Sequence, residues 1–76
     1  MSDNLTQQKI LMWKKQEAEL QEQLEVAMKL RGKAAAEGDL SENAAWKGAT
    51  EDAEMISARI ANIQRLIKEL EKGEQS

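Results

Sequence analysis

The chain has 76 residues, a net charge of −3 and neither cysteine nor histidine. These counts exclude disulfides, thiolate nucleophiles, the usual zinc ligand sets and every catalytic triad that needs histidine or cysteine. The acidic balance argues against binding of duplex DNA, and no apolar run approaches the ~20 residues that span a bilayer. With a polar N-terminus that lacks a signal peptide, we expect one domain over residues 1–76 in a cytoplasmic protein.

The first predicted element is a helix over about residues 5–37. Its seam residues recur in alternating steps of three and four, which is the period of a left-handed coiled coil. Two seam positions are charged, and near the second of them we expect the seam to drift onto Leu30. The seam residues are Ile10, Trp13, Glu17, Leu20, Leu24, Ala27, Arg31 and Ala34.

A short break at residues 38–42 follows. Gly38 is suited to the left-handed conformation that ends many helices. Asp39 then makes a good N-cap for the second helix, with Glu42 three residues later completing a capping box. This spacing, taken alone, favours a capping role for the two acids over a metal-binding one.

The second predicted helix covers about residues 40–72, with Gly73 as its stop signal. Its seam has the same period and is more apolar than the first. The seam residues are Trp46, Ala49, Ala53, Ile56, Ile60, Ile63, Ile67 and Leu70.

So short a break forces the two helices to run antiparallel. Facing residues should then have numbers that sum to about 77, which pairs Leu24 with Ala53 and brings Trp46 near Arg31. The predicted fold class is all-α, an antiparallel two-helix coiled-coil hairpin with both ends opposite the tip. Gly32 and Gly48 fall at nearly the same height, where either the backbones touch or the tip flexes. Apolar residues at the base could leave surface for a homo-oligomer: Ile10, Trp13, Ile67 and Leu70.

The acid pair has a second interpretation. Mg²⁺ prefers six oxygen ligands, and Asp39 and Glu42 could supply two at most. The tip is therefore better suited to deliver oxygens into a metal site on another protein, as two-metal phosphoryl chemistry requires.

The stretch GDLSENAAW, residues 38–46, resembles the tip motif G-D-L-x-E-N-A-x-aromatic of the bacterial Gre transcript-cleavage factors. The resemblance covers essentially the whole chain as the N-terminal coiled-coil domain of that family. Two departures are Trp46, where the family usually has tyrosine, and Ala45, where it often has an acid. The globular C-terminal domain of the family is not among the 76 residues, so we expect weaker binding to the partner.

The resemblance implies that the hairpin enters the secondary channel of bacterial RNA polymerase. Asp39 and Glu42 would help to hold the second Mg²⁺ and position a water, and the polymerase would cut the 3′ end of backtracked RNA. The chain would assist in trans and would not be an enzyme alone. Leu40 and Asn43 match motif positions that shape the tip, and Ser41 occupies the variable position.

The basic residues near the tip could contact RNA phosphates or the channel wall. They are Lys29, Arg31, Lys33 and Lys47. The other interpretation is a solvated helix face, with Arg31 lying over Trp46 as a cation–π pair. Two other functions remain open from the sequence: a channel-blocking regulator without cleavage activity, and a self-associating scaffold.

Overall fold

The computed structural model describes the backbone of residues 4–75 and the side chains of residues 4–73. Helix α1 spans Asn4–Ala35 and helix α2 spans Ala44–Gln75, with a short 3₁₀ turn at Leu40–Glu42 between them. The two helices pack along each other and no strand occurs in the described residues, which confirms the predicted all-α hairpin. The molecule is a rod of 57 × 15 × 12 Å.

The helix ends differ from the expected ones. Helix α1 stops at Ala35, where the chain leaves through a turn that is closed by a 3.1 Å bond from Glu37 N–H to the Ala34 carbonyl. Gly38 has a positive φ of 159°, which favours glycine, but it lies three residues beyond the last residue of α1, so it is not the residue that ends the helix. Gly73 also fails to end α2, which continues to Gln75.

Both predicted seams are confirmed, because every seam residue is buried or half-buried. The expected drift onto Leu30 is wrong: Leu30 is 56% exposed, whereas Arg31 stays in the seam and is half-buried. The aliphatic part of the Arg31 side chain can cover apolar surface while its charged head reaches a polar partner, so the seam tolerates it.

The core forms two clusters that share Leu20. The middle cluster contains Ala27, Ala53, Ile56 and Ile60, with Leu24 packed against it, as the predicted register requires. The base cluster contains Ile10, Ile63 and Ile67, with Trp13 and Leu70 packed against it. Ile10 is only 9% exposed and Ile67 only 6%, so the hairpin itself covers much of the base seam that we considered as a surface for a homo-oligomer.

Three polar pairs join the helices along one side of the rod. The Lys14 ammonium lies 3.5 Å from the Glu71 carboxylate. The Gln64 side-chain amide donates to Glu17 at 2.8 Å, and Arg31 Nε donates to Thr50 Oγ1 at 2.9 Å. The exposed Lys14–Glu71 ion pair contributes about 0–1 kcal/mol, so it adds little to the stability of the hairpin.

Neither helix, over the residues that the structure describes, has an apolar stretch long enough to cross a bilayer.

Gly48 lies inside α2, and a Cβ atom added to it would meet nothing within 4 Å. Close backbone contact therefore does not explain the glycine. We expect Gly48→Ala to stabilise the hairpin by about 1 kcal/mol through helix propensity, which raises the melting temperature by roughly 4–8 °C. Thermal unfolding followed by circular dichroism measures this change in melting temperature. Gly32→Ala, in the last turn of α1, serves as the comparison with a smaller expected gain, and a lower melting temperature for Gly48→Ala would contradict the prediction.

Candidate functional site

The tip is a single 3₁₀ turn that presents Asp39 and Glu42 at its two ends. Asp39 caps this turn: its Oδ1 accepts a 3.1 Å hydrogen bond from the Ser41 N–H and a 3.0 Å bond from the Ser41 hydroxyl. The Glu42 N–H donates to the Asp39 carbonyl at 3.3 Å, so the backbone ties the two acidic residues together. Both side chains are exposed at the tip end of the rod.

Asn43, and not Asp39, caps α2, so the predicted capping box is wrong. The Asn43 Oδ1 accepts from the Trp46 N–H at 2.9 Å, which satisfies a free donor in the first turn of α2. The Asn43 Nδ2 donates to the Ala34 carbonyl at 2.7 Å, near the end of α1. One side chain therefore connects the two helix ends and sets where the acidic turn sits between them.

The pKa of the Asp39 carboxyl lies below its ordinary value of 3.8 because the Ser41 N–H, and then the Ser41 hydroxyl, stabilise the charged form. Asp39 is thus fully ionised near neutral pH. The sign follows from the depressed pKa: the stabilisation is present above the unfolded-state value and is lost as the pH falls through the lower folded-state value.

We expect Ser41→Ala to raise the pKa of Asp39 only part of the way to its ordinary value. The substitution removes the hydroxyl bond but keeps the backbone bond, which is the larger cause of the depression. Titration of the Asp39 side-chain carbonyl by carbon NMR measures the change. A pKa that stays unchanged in Ser41→Ala would show that the hydroxyl bond does not form in solution.

Arg31 and Trp46 meet on the side of the tip where α2 begins, as predicted from the register. The Arg31 guanidinium carbon lies 5.4 Å from the centre of the Trp46 ring system. Its Nε is held by Thr50, so the cation is fixed over the ring. This contact makes Arg31 part of the packing that supports the start of α2.

The structure brings most of the other candidate residues around one shallow pocket at the tip. Leu40 is 42% exposed there, beside the half-buried Trp46. Lys33 does not join them and lines a separate groove with Leu30, and Lys29 is exposed on α1. The candidate residues that surround the tip pocket are Leu40, Ser41, Glu42, Asn43, Trp46 and Lys47.

The donor set at the tip suits a hard cation such as Mg²⁺ but is too small to form a site by itself. Within the described residues no group of three or more potential metal ligands comes together. Asp39 and Glu42 contribute carboxylate oxygens only, and one Asp39 oxygen already accepts two bonds from Ser41. Two carboxylates supply only part of the six oxygen ligands that Mg²⁺ prefers.

Comparison with protein families finds a match to a family described as "Transcription elongation factor, N-terminal". The match covers residues 4–71 of the chain. The chain belongs to this GreA/GreB N-terminal domain family. Searches of curated proteins and of solved structures found no match. Membership supports a role like that of a transcription elongation factor, and it agrees with the resemblance of residues 38–46.

Two features of this Gre-family hairpin were missed from the sequence although each has a local signal. Asn43 directly precedes the α2 helix and is as good an N-cap residue type as Asp39. Ser41 two residues after Asp39 is the spacing of an Asx turn, in which the acid caps its own turn. Together these two signals assign the cap of α2 to Asn43 and leave one Asp39 oxygen outside the bonds to Ser41.

Proposed function

We propose that the hairpin inserts its acidic tip into the secondary channel of RNA polymerase and stimulates cleavage of backtracked RNA by the polymerase active site. The observation that carries this is the placement of the acids. Asp39 and Glu42 are exposed in one turn at the end of a 57 Å rod that is only 15 × 12 Å across. A rod with this shape can reach a recessed site, and the family match supports the polymerase as the partner.

In this proposal the chain is not an enzyme alone, because the catalytic centre belongs to the polymerase. Mg²⁺ there would supply activation of the attacking water. Asp39 would present its free oxygen, since Ser41 occupies the other one. Glu42 would present its carboxylate from the other end of the same turn, and Asn43 holds that turn to both helices.

The neighbours of the acids support the same role. Leu40 offers apolar surface beside them, and Lys47 at the tip pocket could contact the 3′ RNA end. Arg31 is already engaged with Trp46 and Thr50, so it contributes first to the shape of the tip. Lys33 faces away from this pocket into a groove between the helices, where it could contact the channel wall.

Transcript cleavage on stalled, backtracked elongation complexes tests the proposal. We expect cleavage with the wild-type chain and a loss of at least about 100-fold with Asp39→Asn/Glu42→Gln, as for removal of metal-orienting groups. Asparagine at position 39 can still accept the Ser41 bonds, so the tip should stay folded. The matched control is Glu22→Gln/Glu25→Gln, which neutralises two exposed acids at the same spacing on α1.

Binding of each variant to polymerase is measured in parallel. Cleavage by the wild type and the control, with binding but no cleavage by the tip variant, supports the proposal. If the tip variant cleaved as well as the wild type, the two acids would have no role in cleavage. Binding without cleavage by any of the chains would instead favour a channel-blocking regulator.

A further inference from the structure

One side of the hairpin carries a line of shallow grooves, two of which lie between the helices. The first groove lies between Glu19 and Gln23 of α1 and Arg59 of α2. It continues past Val26 to a groove near the tip where Leu30 faces Gly48. We call this side the groove face and define it by Glu19, Gln23, Val26, Leu30, Gly48 and Arg59.

Most of the exposed apolar side chains lie on the groove face. The structure describes nine large hydrophobic residues that are exposed. Two of the nine, Val26 and Leu30, belong to the groove face by definition. Four more lie seven or fourteen residues from a member of the face. This spacing places residues on the same side of a coiled-coil helix. The six are Leu5, Met12, Val26, Leu30, Met55 and Leu66.

The other side of the rod is where the helices bond to each other. The Lys14–Glu71 pair and the Arg31–Thr50 bond lie there, as does Met28, which is fourteen residues from Lys14. The groove face differs because its charges are unpaired. Within the described residues, no ion pair involves Lys9, Glu19, Arg59 or Glu69.

We infer that the groove face binds a second copy of this chain, side by side and with both tips at the same end. Lys9 and Glu69 lie at one height of the rod and Glu19 and Arg59 at another, by the register that pairs α1 with α2. A twofold axis along the rod places α1 of one copy against α2 of the other. Each of these four charges then meets its opposite, and both pairs form twice.

Two of the six apolar positions, Leu66 and Leu30, also find suitable partners in this arrangement, whereas Val26 lies at the height of Asp52. Leu66 lies at the height of Met12, and the small residues Ala45 and Gly48 lie at the height of Leu30, where they leave room for a large side chain. The face measures 57 × 15 Å, which is close to the ~800 Å² that each partner contributes to a standard protein interface. The product is a four-helix bundle about twice as thick as one rod, so the dimer is a state of the free chain and separates before a single rod enters a recessed site.

Sedimentation equilibrium over a range of concentrations tests the interface. We expect the wild type to reach twice the 8.5 kDa of one chain. Leu30→Glu should abolish the dimer, because it places charge in the apolar part of the face. The matched control, Met28→Glu, alters a residue of similar exposure on the other side and should leave the dimer intact. Circular dichroism confirms that both variants are helical.

Charge reversal tests the ion pairs between the two copies, and a spin label tests whether the two copies run in the same direction. Glu19→Arg should weaken the dimer, and the further change Arg59→Glu should restore it. The chain has no cysteine, so Ser41→Cys gives one labelling site at the tip. Two labels close together support the side-by-side arrangement, whereas a separation near the 57 Å rod length overturns it.

A wild type of single-chain mass at every concentration overturns the inference, as does a dimer that Leu30→Glu leaves unchanged. If the wild type is monomeric and Leu30→Glu weakens binding to polymerase while Met28→Glu does not, the groove face contacts polymerase and the second copy is excluded. These outcomes do not depend on the acid pair, so they are separable from the cleavage test.

Discussion

Asn43→Ala is expected to lower the free energy of unfolding by about 2 kcal/mol, with roughly half from the lost helix cap and half from the lost bond between the helices. The Asn43 side chain accepts from Trp46 N–H and donates to the Ala34 carbonyl, and alanine does neither. For a domain of this size the melting temperature should fall by roughly 10 °C. Thermal and chemical unfolding followed by circular dichroism measure the loss.

Asn43→Ser is the matched control. Serine can still cap α2, but its short hydroxyl cannot replace the amide that reaches Ala34. We expect it to keep about half of the stability that alanine loses. Equal losses in the two variants would mean that the cap contributes nothing, and no loss in either would mean that the tip is held by other contacts.

Ile60→Ala is expected to cost about 2–5 kcal/mol, because it opens a cavity in the middle cluster. Ile60 is 6% exposed and packs with Ala27, Ala53 and Ile56. A chain of 76 residues has a total stability of roughly 4–11 kcal/mol. One substitution could therefore remove about half of it. Urea unfolding measures the change directly.

Leu11→Ala provides the comparison, since Leu11 is 67% exposed and lies outside both core clusters. Its effect should stay within about 0.5 kcal/mol. If Ile60→Ala lost no more than Leu11→Ala, the two helices could not be packed as the structure has them. Both variants should be compared at low chain concentration, so that association between copies does not add to the measured stability.

The two seams could be predicted from the sequence because their residues recur with one regular period over the length of each helix. Alternating steps of three and four leave one possible face for each helix, and the short break leaves one possible direction. From these the Arg31–Trp46 contact follows by position alone, and the structure confirms it at 5.4 Å. Leu30 was misplaced because hydrophobicity favoured it over Arg31, whereas Thr50 offers the arginine an acceptor from the other helix.

The structure of the tip could be predicted only in part from the sequence, because its two candidate N-cap residues are of equally suitable types. Asp39 and Asn43 are both good N-caps. What separates them is the Ala34 carbonyl, nine residues away in sequence, to which only an amide can donate. A tertiary contact therefore decides which residue caps α2, and local sequence propensities do not predict that contact. The motif identified the acids at positions 39 and 42, but it did not show that neither of them caps α2.

The antiparallel course of the helices also determines how the molecule responds to force. Both ends of the described chain lie at the base of the rod, beside the isoleucine cluster. Pulling them apart loads one layer of side chains at a time, as a zipper opens, and each isoleucine layer resists in turn. The layers near the tip separate last. A molecule whose base has been pulled open would therefore still keep Asp39 and Glu42 in the 3₁₀ turn at the tip. The hydrogen bonds of Asn43 would be the last contacts between the helices to break.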